Sequence, residues 1–117
     1  MRILIIEPQK VARDALRNLV REALRDATVV HADTLQEWMH HRAGDRPDLI
    51  ILGDGRLELI ELAAVAAPGA TIVALGLHDD ALYRKQALLS GAHAYIPREH
   101  AADQLPRLLA TLQLEAA

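Results

Sequence analysis

A chain of 117 residues, 51% of them hydrophobic and with a net charge of −3, is long enough for one buried core and too apolar for disorder. The absence of cysteine excludes disulfides, thiolate metal sites and cysteine nucleophiles and fits a reducing compartment. The acidic balance leaves no electrostatic footprint for nucleic acid, and with no Phe and 3% aromatic residues the core has to come from Leu, Ile, Val and Ala.

The opening "MRILII" carries one positive charge and four apolar residues before Glu7. That is too short for a signal peptide or a membrane span, so a soluble cytoplasmic domain over residues 1–117 is expected. Ile3–Ile6 reads as a first strand. Val11, Ala15, Leu16, Leu19, Val20 and Leu24 then recur at helical spacing up to about Arg25. Thr28–Ala32 is a second β-type run. "DTLQEWMHHR" follows, with Asp33 as N-cap and Gln36 three residues on as a variant capping box; its Trp38 and Met39 form the one large aromatic patch, of a kind that covers core or an interface.

Leu49–Leu52, in "RPDLIILGDGRLELIEL", is an unbroken apolar strand that ends at Gly53, with Asp54 one step later. Arg56–Ala67 reads as a third helix stopped by Pro68–Gly69. Thr71–Leu75 is a fourth strand, Asp79–Ser90 a fourth helix stopped at Gly91, and Ala94–Pro97 a fifth strand. The last helix runs from about Asp103 to Leu114, with Asp103 as N-cap placing Pro106 in the first turn, where no amide partner is lost. Strands that are nearly continuous Ile, Leu and Val are buried on both faces, and the β-α order repeated five times predicts an open parallel sheet covered by helices on both sides. Such sheets bind ligands beyond the carboxyl ends of their strands, which selects Glu7, Gly53, Asp54, Gly76, Pro97 and Arg98.

The opening "RILIIEPQKVARDALRNLV", the strand "RPDLIIL" and the stretch "TIVALGLHDDALYRKQALLSGAHAYIPRE" together resemble the receiver domain of two-component response regulators, over nearly the whole chain. The resemblance implies a flavodoxin-like, doubly wound (β-α)5 domain of three layers with strand order 2-1-3-4-5. Family chemistry is phosphoryl transfer to an Asp ending the third strand. Acidic residues after the first strand hold Mg²⁺, a Thr or Ser ends the fourth strand, and a Lys ends the fifth. Here Gly53 stands at the acceptor position and Gly76 at the hydroxyl position. Arg98 stands for the Lys, with the same charge but another shape. Glu7–Pro8 leaves one carboxylate where two help to bind Mg²⁺. The loop after the acceptor is shorter than the family's by about five residues.

The resemblance therefore implies a degenerate pseudo-receiver without a catalytic residue or cofactor. It would act by phosphorylation-independent protein–protein contact, as a homodimer or against an output domain or partner, with no nucleic acid bound by this domain. The alternative is an atypical receiver in which Asp54, slipped by one residue, is phosphorylated with Mg²⁺. A slip in a strand turns the side chain to the other face unless the backbone bulges, which Gly53 and Gly55 would ease. Glu7 and Arg98 are expected to face one another, and a bidentate pair would replace metal and phosphate. Tyr95 falls at the family's switch aromatic, which turns inward on activation; a tyrosine capping the core edge is the plainer reading. The usual receiver dimer face would include Leu82, Tyr83, Arg84, Lys85, Tyr95, Leu108 and Leu112. The six histidines lack zinc-site spacing and read as surface or rim residues, with His78-Asp79-Asp80 as a turn in which an Asp caps the fourth helix. The chain is either a stand-alone domain or a fragment cut before an output domain.

Overall fold

The computed structural model describes residues 1–116, with side chains up to Leu112. Five parallel strands, β1 (Arg2–Ile6), β2 (Thr28–Ala32), β3 (Leu49–Leu52), β4 (Thr71–Gly76) and β5 (Ala94–Pro97), form one sheet in the order β2-β1-β3-β4-β5. Between and after them lie α1 (Lys10–Ala23), α2 (Leu35–His41), α3 (Leu57–Ala66), α4 (Ala81–Ser90), a 3₁₀ turn at Arg98–His100 and α5 (Ala101–Ala116). This is the flavodoxin-like α/β fold, with strand order reversing at β1.

The sheet divides the core in two because neighbouring residues of a strand face opposite ways. Leu4, Ile6, Ile50, Leu52, Ile72 and Ala74 pack under α2, α3 and α4, against Leu35, Trp38, Ile60, Ala63 and Ala87. Ile3, Ile5, Leu49, Ile51, Val73 and Leu75 pack under α1 and α5, against Leu16, Val20, Leu105 and Leu109. Burial of each Ile or Leu contributes about 2 kcal/mol. This two-sided demand is why β1, β3 and β4 show no polar alternation. Trp38 lies in the core, its indole N–H donating to Asp45 Oδ2 at 3.1 Å. Among the described residues no helix is long and apolar enough to cross a membrane.

The strands fall where the sequence puts them, and several helix details differ. Val11 and Ala15 point to solvent, Val11 being 85% exposed, so the buried stripe of α1 begins at Leu16. The N-cap of α2 is Thr34, whose hydroxyl accepts from Glu37 N at 3.1 Å. Asp33 instead pairs with Arg13 at 2.6 Å. Helix α3 starts after Arg56 rather than at it, and Asp80 caps α4 by accepting from Tyr83 N at 2.8 Å. Gly91, at φ 125°, ends α4 in a conformation that suits glycine. Asp103 is not a cap. Helix α5 already starts at Ala101, Asp103 pairs with Arg107 at 3.2 Å, and Pro106 lies inside the helix.

Candidate functional site

The carboxyl ends of β1, β3 and β4 and the turn after β5 frame a cleft of about 590 Å³. It is lined by Glu7, Pro8 and Gln9, by Gly53 to Arg56, by Gly76 to His78, and by Tyr83 and Arg98. Strands β1 and β3 keep their pairing one residue past Ile6 and Leu52. Glu7 N bonds Ala32 O at 3.1 Å and Gly53 N bonds Ile6 O at 2.8 Å. Pro8 restricts Glu7 to extended backbone, which delivers its side chain to the sheet edge.

Glu7 is 2% exposed, and its carboxylate lies over Gly53. A Cβ built on Gly53 would stand 2.1 Å from Glu7 Oε2 and 2.9 Å from the Ile6 carbonyl oxygen. A buried carboxylate needs compensating groups. Here Gln9 N approaches Oε1 at 3.4 Å and Arg98 Nη2 stands 3.6 Å from the same oxygen. Arg98 Nη1 donates to the Gly53 carbonyl at 2.7 Å. The expected Glu7–Arg98 pair is therefore formed, but as a single ion-pair contact. The guanidinium is divided between the carboxylate and the β3 terminus, so the bidentate geometry anticipated from the sequence is absent.

Gly76 is filled in the same way. Tyr95, 5% exposed, turns inward, and a Cβ on Gly76 would lie 2.3 Å from its hydroxyl and 2.9 Å from its ring. The Tyr95 hydroxyl donates to His78 O at 3.1 Å. Tyr83 closes the opposite wall. Its hydroxyl donates to Gly55 O at 2.6 Å, its ring stacks on His78 at 4.1 Å, and it lies 5.2 Å from the Tyr95 ring. Burial pushes both phenols above the ordinary tyrosine value, for Tyr95 against the pull of the His78 carbonyl and for Tyr83 with help from Glu58 and Asp54. Both remain hydrogen-bond donors at neutral pH.

Asp54 lies at the mouth of the cleft and turns to Arg56, accepting from its Nε at 2.9 Å and from its backbone N–H at 3.3 Å. The guanidinium of Arg98 is committed to Glu7 and Gly53. The loop from Gly53 to Arg56 is short, and its Gly55 carbonyl is already taken by Tyr83. Of the positions selected at the strand ends, Glu7, Gly53, Gly76 and Arg98 converge, and Pro8 lines the rim. The remaining interface candidates divide. Leu82, Arg84 and Lys85 are exposed on α4 and Leu108 and Leu112 half-buried on α5; Tyr83 lines the cleft, while Tyr95 reaches Gly76 with its ring and also lines the groove between α4 and α5 with Arg84 and Leu108. The inward turn of Tyr83 carries no signal in the sequence, because a position on α4 facing the next strand looks like one facing outward.

No family model and no curated protein match this chain. Solved structures do. A response regulator receiver protein from Pseudoalteromonas atlantica matches over the full length of both chains, with 18% identity and a TM-score of 0.80. The signal receiver domain of a DNA-binding response regulator from Colwellia psychrerythraea 34H matches with 17% identity and a TM-score of 0.81, covering 97% of this chain and 98% of that one. The chain has the receiver fold. The RcsB response regulator of Salmonella typhimurium, described by its DNA interaction, matches at 18% identity and a TM-score of 0.81 over 98% of this chain, which spans 60% of RcsB. Against that receiver frame, the two glycines sit at the strand ends where the resemblance puts the acceptor and the hydroxyl.

Proposed function

We propose that this chain is a receiver-like signalling module that works without phosphorylation, through protein–protein contact. The observation that carries the reading is the filling of both glycine positions from within: the Glu7 carboxylate takes the place of a side chain at Gly53, and the Tyr95 ring takes the place of one at Gly76. In a phosphorylatable receiver an acceptor carboxylate, a metal ion and a hydroxyl meet there. Here Glu7, Arg98 and Tyr95 meet, and the inward position of Tyr95, which the family associates with activation, is held by packing and by the His78 carbonyl. The module is thus set in one conformation, and its signal is docking: onto a second copy, an output domain or a partner. The likeness to DNA-binding regulators favours an output domain of that class, with the DNA contact made by that domain. No enzymatic step and no bound Mg²⁺ belong to this reading, and its place is the cytoplasm.

Asp54 supplies the test. Its carboxylate is the one at the end of β3, and it is engaged with Arg56. Intact mass is measured after incubation with acetyl phosphate and Mg²⁺, beside Asp54→Asn and a phosphorylatable receiver as positive control. Unchanged mass in this chain, with the control labelled, is the expected result. A gain of one phosphoryl group that Asp54→Asn abolishes would replace this reading with that of an atypical phosphorylated receiver.

A further inference from the structure

Outside the cleft, three groups able to bind a metal converge from two segments of the chain. Asp79 lies in the loop between β4 and α4, and Glu99 and His100 lie in the 3₁₀ turn after β5. Because β4 and β5 are neighbours in the sheet, both segments leave the same edge side by side. His100 Nε2 is 3.5 Å from Asp79 Oδ2 and 3.7 Å from Glu99 Oε1, and the three ligand atoms lie within 4.8 Å of one another.

We propose that Asp79, Glu99 and His100 form a binding site for a divalent first-row transition-metal ion of the Zn²⁺ type, with water completing the coordination. Ligands bonded to Zn²⁺ at about 2.1 Å in a tetrahedral arrangement stand about 3.4 Å apart, so the two distances to Nε2 are within a few tenths of an ångström of what a common ion requires. Imidazole with two carboxylates suits this class of ion, whereas Ca²⁺ and Mg²⁺ take oxygen ligands. Two carboxylates and a neutral imidazole also carry the charge that a divalent cation cancels. The side chains are open to solvent, with exposures of 52% for Asp79, 70% for Glu99 and 44% for His100, so ion and water can enter. The nearest cation in sequence, Arg98, points the other way, into the cleft. A bound ion would tie the loop whose His78 carbonyl holds Tyr95 to the turn that carries Arg98. The site stands independently of the reading given to the cleft.

The full chain is titrated with ZnCl₂ by calorimetry at neutral pH, with Co²⁺ absorbance as a report on ligand type. Asp79→Asn and His100→Gln are compared with His78→Gln as a control for a neighbouring histidine. One equivalent bound by the parent and by the control, with affinity lowered by roughly tenfold or more in the two site variants, is expected. Zn²⁺ should also raise the thermal midpoint of the parent and not of the site variants. Circular dichroism without metal checks that these surface variants fold. Absence of binding to the parent would overturn the proposal and leave the three groups an ion-pair cluster only; undiminished affinity in either site variant would place the ion elsewhere and overturn it equally.

Discussion

Glu7 concentrates the energetics of the cleft in one side chain. Its carboxylate is buried, faces one guanidinium at 3.6 Å and one backbone N–H at 3.4 Å, and fills the space beside Gly53. Arg98 is itself one-third exposed on its side chain, so water screens part of the attraction. Replacing it strands the carboxylate and leaves the Gly53 carbonyl without its donor. Arg98→Met should therefore destabilise the fold by about 2 kcal/mol and Glu7→Gln by about 1 kcal/mol. In the double variant no stranded charge remains, so its cost should fall short of the sum by about 1 kcal/mol. Urea denaturation of the three variants measures this coupling. Strict additivity would mean that the two side chains do not sense each other.

At the level of elements, the strands were legible because burial on both faces forces continuous Ile, Leu and Val, in runs of four to six residues that are too short for a buried helix. Helix ends were less so. Asp33 and Thr34 are both competent caps, and only the direction in which the chain leaves β2 decides that Thr34 turns back to Glu37 while Asp33 reaches Arg13. Of the site, the strand ends located Glu7, Gly53, Gly76 and Arg98. The filling of the glycine positions was not legible, since it depends on side-chain rotamers across β1, β3 and β5. Helix α5 offers the clearest conflict between local preference and outcome. Pro106 removes one N–H from the interior of the helix, and the helix continues because Leu105 and Leu109, both fully buried, hold it on the sheet. Pro106→Ala should restore the missing bond and raise the denaturation midpoint, by an amount worth about 1 kcal/mol. A lower midpoint would show that the proline ring packs better than the restored bond compensates.

On the scale of the whole molecule, the amino-terminal edge of the sheet is fastened by a polar knot in addition to the apolar layers. Asp45 receives hydrogen bonds from Arg2 Nε and from the Trp38 indole, joining β1, α2 and the loop before β3. Burial raises the pKa of its carboxyl, but the bonds from Arg2 and Trp38 outweigh that and hold it below the ordinary aspartate value. A depressed folded-state pKa contributes stability that is present above the unfolded value, near about pH 4, and lost as the pH falls through the folded one. Urea midpoints measured from pH 6 to pH 3 should therefore drop less steeply in Asp45→Asn than in the parent. Parallel curves would remove Asp45 from the acid limb.

The contacts at Gly53 and Gly76 also bear on which sequences lie one substitution away. An aspartate introduced at 53 meets the Glu7 carboxylate, of like charge, and the Ile6 carbonyl, and a threonine at 76 meets the Tyr95 ring. Either change alone costs stability and still lacks its companion, so under the proposed function neither is rewarded by restored phosphotransfer. Under the same proposal, a lineage carrying this arrangement has to pass through several coordinated substitutions before phosphate can govern it, which makes the glycine pair an evolutionary ratchet as well as a packing solution.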